Sequence, residues 1–342
     1  MLIIISKGAK MDFAEFKRRL QSSPTFHDLE RWTITDTDSG LTSPNSYRFQ
    51  CDDRDYFVKE IKENEKRILG FLTHFELEIA PRIVLPELLE QDIAVYEYIR
   101  GTPLKGKTLP QTLIKNYALM QNILNQEHVF RQADAFRGCT FTSEDDGFYR
   151  NSITRCIDQG YENLLKLRAH SLPVVEAFIE IADHIRTYRA PIIDDFAGMP
   201  FGWLHHDFRE LQIIGDPPKL IDWGSSYGHG PFLFDLAPFL VNDEHGLTTF
   251  IAHSDICQSA TRAEIERWLY AANCASLGAF MLWRVADAGN ASVMQNRESC
   301  RTLLEYEYPA YQGIINHSRT YHSNNLGMRP SPRRGLERIT PA

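Results

Sequence analysis

The sequence predicts an α+β chain of two lobes, an antiparallel β-rich N-terminal lobe and a mainly helical C-terminal lobe. Three observations predict it. Between Arg31 and Ile61, strand-like runs alternate with turn-rich stretches. From about Leu109 the apolar residues recur at helical spacing over long segments. Short apolar runs ending in aspartates, within 204–223, interrupt those helices. The expected division is 11–100 for the first lobe, 101–323 for the second, and a Pro-, Gly- and Arg-rich disordered tail over 324–342.

Residues 11–20 read as an amphipathic helix, with Phe13, Phe16 and Leu20 on one face. "RWTIT" and "SYRFQ" read as strands around the polar stretch Thr35–Ser46, and "YFVKEI" (Tyr56 to Ile61) follows the turn "DDRD" as a third strand. In "ENEKRILGFLTHF", Glu65, Ile68, Leu69 and Leu72 share one helical face. A carboxylate in register with an apolar face is buried, and a buried carboxylate needs a partner. "IAPRIVLPELL" and "DIAVYEYIRG" read as two further strands, closed by Gly101. Helices are expected over 110–135, 146–168, 173–189, 262–288 and 295–316.

At 342 residues the chain is long enough to bury a substantial core. Its net charge of −8 argues against binding a phosphate backbone, so no nucleic-acid partner is expected. No apolar run approaches the roughly 20 residues that span a bilayer, so no membrane partner is expected either. The first ten residues are too weakly apolar for a secretory leader, which leaves Met11 as an alternative start to Met1. Six scattered cysteines without a C-x-x-C spacing point to a reducing cytoplasm and away from structural zinc. Composition is silent on oligomeric state.

The polar residues at strand ends carry the chemistry. Lys59 lies in a strand, and Glu65 follows on the inward face of the next helix. His205, His206 and Asp207 end one short apolar run, and Asp222 ends another after "KLI". Gln212 lies between the two aspartates, and Asp235 opens "DLAPFL". Phosphoryl transfer from ATP needs these types: a cation for the non-reacting phosphates, oxygen ligands for magnesium, and a carboxylate beside the attacking hydroxyl. Taken singly, Lys59 reads as a solvated strand lysine and the aspartates as turn residues. His205 reads as structural and Asp235 as a tie to a helix N-terminus. The adjacent histidines are a poor zinc pair, since neighbours on a strand face opposite ways, and "SSYG" is not G-x-S-x-G.

The order and spacing resemble the aminoglycoside phosphotransferase and choline kinase-like superfamily, which has a bilobal protein-kinase-like fold. That family carries H-G-D-x-x-x-x-N, then I-D-W/F, a G-x-P turn and D-L-A. This chain has His205-His206-Asp207, Gln212, Ile221-Asp222-Trp223, Gly230-Pro231 and Asp235-Leu236-Ala237, and "VYEYIRGTPL" resembles the family's hinge. The resemblance extends over Ser39 to Leu240. It implies ATP and Mg2+ as cofactors and a phosphotransferase with a small-molecule hydroxyl acceptor, an aminoglycoside, amino sugar or related alcohol. It implies Asp207 as catalytic base, Asp222 and Gln212 as magnesium ligands, and Lys59, held by Glu65, on the α- and β-phosphates. The backbone of Glu97 and Ile99 would bind adenine. "GLTSPNS", with Ser43 and Asn45, would cover the phosphates.

Two departures stand out. Gln212 replaces the family's asparagine, and His206 replaces a small residue. They motivate a competing reading, a catalytically weak kinase-like module for nucleotide binding or interaction. Acidic residues of the second lobe (Asp243, Glu244, Asp287, Glu305 and Glu307), with Trp268, Trp283, Tyr306 and Tyr308, suit a cationic or polyhydroxylated acceptor. A protein kinase is disfavoured: only twelve residues separate Asp222 from Asp235, and no A-P-E element follows.

Overall fold

The alternating pattern before Ile61 supplies three strands of a four-stranded antiparallel sheet in the computed structural model, which describes residues 11–37, 46–106, 108–125, 146–225, 228–285 and 297–315. The strands are β1 (Thr33–Asp36), β2 (Ser46–Cys51), β3 (Arg54–Glu60) and β4 (Ile93–Glu97), in that spatial order. The register sets Lys59 opposite Ser46 on one side and Ala94 on the other. Successive side chains on a strand face opposite ways, so Val58 and Lys59 part. Val58 and its partner Val95 join Phe16, Leu20, Phe26, Trp32 and Phe49 in a buried core. Helix α1 (Phe13–Leu20) supplies Phe16 and Leu20 to it, and Asp12 caps its first turn by accepting from the Ala14 N–H. Helix α2 (Glu63–His74) buries Glu65, Ile68, Leu69 and Leu72, the four residues read as its inward face.

The expected strand over Ile79–Leu89 does not form. A single bridge joins Ile83 to Tyr96, and residues Pro86–Gln91 form a 3-10 turn. Pro81 and Pro86 have no N–H to donate to a ladder, which limits the segment to isolated bonds with β4. Those bonds run from Val84 N to Val95 O and from Glu97 N to Arg82 O.

The chain divides into two compact units, Met1–Lys105 with Asp207–Tyr227, and Gly106–His206 with Gly228–Ala342. This differs from a boundary at residue 100, because the 207–227 segment goes with the sheet. Four short strands lie in this half of the chain: β5 (Phe201–Leu204), β6 (Ile213–Ile214), β7 (Lys219–Leu220) and β8 (Gly228–Pro231). Strands β6 and β7 pair within the first unit. They are tied there by Leu220 N to Ile79 O at 2.7 Å and Leu104 N to Ile213 O at 2.9 Å. Gly215, with φ +91°, turns this hairpin, and a Cβ there would fall 2.5 Å from Ile99 Cγ2. The hinge residue and the hairpin approach each other only because position 215 is glycine.

The second unit holds the β5–β8 pair and eight helices among the described residues. These are α3 (Gln111–Leu124), α4 (Asp146–Lys166), α5 (Pro173–Thr187), α6 (Arg189–Gly198), α7 (Ala237–Leu240), α8 (Glu244–His253), α9 (Arg262–Ala279) and α10 (Arg297–Tyr311). A capping box of Thr261 and Glu264 starts α9, and a π turn over Phe280–Arg284 ends the regular helix. Helices α6 and α8 were not expected. Only Tyr188 separates α5 from α6, and no Ser, Thr, Asp or Asn marks the new start. No helix among the described residues is long and apolar enough to cross a membrane. The expected tail over 324–342 and the first ten residues lie outside the described residues.

Candidate functional site

The first unit brings together most of the residues singled out in the sequence. Strand β3 turns Lys59 away from the aromatic core and toward the buried face of α2. There its Nζ donates to Glu65 Oε1 at 2.9 Å. The same Nζ donates to Asp222 Oδ1 at 3.1 Å. Gln212 Nε2 then lies 3.4 Å from Asp222 Oδ2 and 3.3 Å from Asp207 Oδ2. One chain of polar contacts thus links Glu65, Lys59, Asp222, Gln212 and Asp207, over 163 positions in sequence between Lys59 and Asp222.

The chain is most deeply buried at its Glu65–Lys59 end. Glu65 is 3% exposed and Lys59 8%. The Asp222 side chain is 44% exposed and that of Asp207 29%. Burial alone would push the Lys59 ammonium down, but the Glu65 and Asp222 carboxylates outweigh it and hold the group above its ordinary value. Burial pushes the Glu65 carboxyl up, against the pull of Lys59. Gly224 lies against this pair, and a Cβ there would sit 3.2 Å from Glu65 Oε2. Asp222 itself holds a left-handed backbone, φ 60°, and His206 does so at φ 65°. Such conformations cost energy in residues with a Cβ and occur where surrounding structure imposes them.

The hinge has a distinct set of backbone groups. Tyr98 N donates to Asp55 O and Glu97 N to Arg82 O, both at 3.0 Å. The Ile99 N–H has no partner among the described residues. Arg48 secures the hinge from the sheet: it grips Asp55 through two hydrogen bonds and lies 4.1 Å from the Tyr98 ring centroid. Ser43 and Asn45, expected over the phosphates, lie outside the described residues.

Magnesium takes oxygen ligands, and proteins hold it with one or two carboxylates while phosphates and waters complete the shell. Asp222 and Gln212 offer such a set. The Gln212 carboxamide lies between two carboxylates, and turning it about its last bond presents oxygen in place of nitrogen. Among the described residues no cluster of three or more His, Cys, Asp or Glu could hold a metal. Asp222 and Gln212 could supply oxygens to a cation whose other ligands come from outside this set.

Sequence reasoning passed over Arg209. Its Nη2 donates to Asp207 Oδ2 at 2.5 Å, and its Nε is buried without a hydrogen-bond partner. A basic residue two positions after the aspartate was the available signal. Tyr117 was also missed. In the second unit its hydroxyl donates to Asp235 Oδ2 at 2.6 Å. Asp235 also accepts from His205 N at 2.5 Å and His206 N at 3.1 Å. That carboxylate holds the backbone immediately before Asp207.

Other residues expected near an acceptor are engaged within the second unit. Asp243 caps α8. Glu244 takes two hydrogen bonds from Arg262. Trp268 packs on Phe232, and Tyr308 on Phe178.

No protein-family model matches the sequence, and no curated protein matches it. Solved structures do match in fold. An ethanolamine kinase from Plasmodium vivax aligns at a TM-score of 0.53 and 13% identity, over 88% of this chain and 90% of its own. A choline kinase from Cryptosporidium parvum Iowa II aligns at 0.51 and 12%, over 92% and 97%. An aminoglycoside phosphotransferase from Alicyclobacillus acidocaldarius aligns at 0.44 and 16%, over 85% and 95%. The chain has the fold of the choline and ethanolamine kinases, the protein-kinase-like α+β fold that its motifs implied.

Proposed function

We propose that this protein is an ATP- and Mg2+-dependent small-molecule kinase that transfers the γ-phosphoryl group to an alcohol hydroxyl. The observation that carries the reading is the polar chain of the first unit. It supplies a buried, charged lysine fixed by a glutamate, an oxygen donor set for magnesium, and a half-buried carboxylate at its far end.

Each residue has a task in this reading. Ile99 N–H and the Glu97 carbonyl bind the adenine edge. Lys59, charged and held by Glu65, binds the α- and β-phosphates. Ser43 and Asn45 belong to the loop assigned to those phosphates. Asp222 and Gln212 would hold Mg2+, which neutralises phosphate charge when bound. Asp207 is the catalytic base. Its Oδ2 is taken by Arg209 and Gln212, and its Oδ1 has no partner among the described residues, so Oδ1 can accept the acceptor's O–H. The hydroxyl oxygen then forms a bond to the γ-phosphorus as the bond to the β,γ-bridging oxygen breaks. That electron pair leaves with ADP, and the hydroxyl proton passes to Asp207. Residues 11–100, with the 207–227 segment, form the nucleotide-handling part, and the rest of 101–323 the acceptor-handling part. Free Cys51, Cys156, Cys257, Cys274 and Cys300 suit a cytoplasmic setting.

ADP release from MgATP across a panel of small alcohols tests the reading, with Asp207→Ala as control. Acceptor-dependent release that the variant lacks is the expected result. MgATP binding with no acceptor-dependent release would favour the nucleotide-binding module instead. Absence of nucleotide binding would overturn the kinase.

A further inference from the structure

Arg209 is the second cation of the site, set on Asp207 as Lys59 is set on Glu65 and Asp222. Its guanidinium sits on Asp207 Oδ2 at 2.5 Å, with both side chains about equally accessible at 27% and 29%. Only one of its nitrogens is used in this contact. The Nε–H is shielded from solvent and meets no acceptor. A buried donor without an acceptor is a standing cost, and an anion placed against it removes that cost. Arginine presents its N–H groups as a planar fork, the geometry that matches a carboxylate or a phosphate.

The position matters because of what Asp207 does in the proposed reaction, on which this inference rests. An acceptor hydroxyl bound to Asp207 Oδ1 lies within hydrogen-bond reach of that carboxylate. A charged group one or two carbons from the hydroxyl and on the Oδ2 side can approach the guanidinium, where like charges repel and opposite charges attract. A base flanked by a cation is a poor neighbour for an ammonium group close to the hydroxyl. Three of the acidic residues considered for a cationic acceptor are engaged elsewhere: Asp243 caps a helix, Glu244 is bound by Arg262, and Glu305 lies 4.0 Å from Arg301.

We propose that Arg209 is a specificity-determining residue and that the acceptor carries a carboxylate or phosphate close to the phosphorylated hydroxyl. This runs against the amino-sugar and aminoglycoside acceptors expected from the sequence, and it separates this chain from the choline and ethanolamine kinases whose fold it shares. The transferred phosphoryl group is itself an anion, so the guanidinium has a second candidate ligand. The two assignments differ in outcome. A contact to the phosphoryl group serves every acceptor alike, whereas a contact to the acceptor changes the ratio between acceptors.

The test uses two matched series, glycerate, glycerol and aminopropanediol, and glucuronate, glucose and glucosamine. The full-length protein and its Arg209→Gln, Arg209→Lys and Arg209→Glu variants are assayed for kcat/KM with MgATP, alongside hydrolysis of MgATP without acceptor. In the natural protein an anionic member is expected to exceed its matched amine by at least about tenfold. Arg209→Gln should bring that ratio to within about threefold of unity, Arg209→Glu should invert it, and Arg209→Lys should preserve the preference by keeping the charge. Preservation in Arg209→Lys separates loss of charge from loss of fold. Preference for the amine in the natural protein, or an unchanged ratio in Arg209→Gln, overturns the inference. An equal fall for all acceptors and for hydrolysis overturns it in favour of the phosphoryl contact. Transfer to neither anionic member while MgATP binds overturns it and leaves the kinase reading standing. Failure to bind MgATP overturns both.

Discussion

Two polar networks lie in this chain, one in each unit, and they solve the cost of burial differently. In the second unit Asp235 is 5% exposed and takes its donors from the Tyr117 hydroxyl and the backbone of His205 and His206. Two of those three donors are main-chain groups immediately after β5. In the first unit the network links the side chains of Lys59, Glu65, Asp222, Gln212, Asp207 and Arg209. It runs from a buried end at Glu65 to an exposed Asp222 and a half-buried Asp207. A network closed on the backbone holds a shape. One made of side chains, with oxygens facing solvent, can exchange its internal partners for a ligand's. The adjacency of His206 and Asp207 joins the two: the rigid network ends where the exchangeable one begins.

The comparison breaks at different places under different substitutions. The largest effect is expected at the open end of the first network. Asp207→Ala should lower kcat by about 10²–10⁴-fold, the usual worth of a general base, while MgADP affinity by calorimetry changes by less than about threefold. Asp222→Ala should instead weaken binding in magnesium and leave magnesium-free binding unchanged. Similar losses in both assays for both variants would dissolve the distinction between base and metal ligand.

Next comes the buried end. Lys59→Ala leaves the Glu65 carboxylate without its partner, which typically costs about 3–5 kcal/mol. Joint replacement, Lys59→Met with Glu65→Leu, should recover most of that in denaturant unfolding while abolishing turnover. A double variant no more stable than the single one would mean that the pair is held for stability rather than for phosphate binding.

A pH experiment probes the join. Burial pushes the His206 imidazole down from 6.5 to about 4. Between those values the unfolded chain takes up a proton that the folded chain refuses. Stability contributed by this residue is therefore present above about 6.5 and lost as pH falls toward 4. The expected difference is roughly 2–3 kcal/mol, read from urea midpoints of the natural protein and His206→Asn at several pH values. An identical pH slope in the variant would remove His206 as the cause.

The smallest effect belongs to the closed network. Tyr117→Phe deletes one of three donors to Asp235 and should destabilise by about 1.5–3 kcal/mol, since the acceptor is charged. The KM for ATP should stay within about twofold. A large change in KM would show that the two networks are coupled more closely than their partners suggest.

Local pattern carried much of this into view from the sequence. Glu65 was legible as a buried carboxylate because α2 repeats its apolar residues every three to four positions. Lys59 was legible because β3 is short and bounded, and Asp207 and Asp222 because each ends a short apolar run. The strand expected over Ile79–Leu89 failed where local reading is weakest, in an apolar run broken by Pro81 and Pro86. Helix α6 was invisible for want of a start signal, whereas α8 carries one in Asp243 that was passed over. Arg209 was passed over because nothing local distinguishes a guanidinium that meets Asp207 from one in water.

The sequence by itself determined the α+β class, the faces of α1 and α2, and the order of charged residues along the chain. These follow from periodicities of two and about 3.6, which each segment carries alone. Only the tertiary structure decided the partners. It brought Asp222 to Lys59 across 163 residues and Tyr117 to Asp235 across 118. It set the 207–227 segment with the sheet and Arg209 on Asp207. Such pairings depend on where distant segments pack, and periodicity within a segment carries no information about distance between segments.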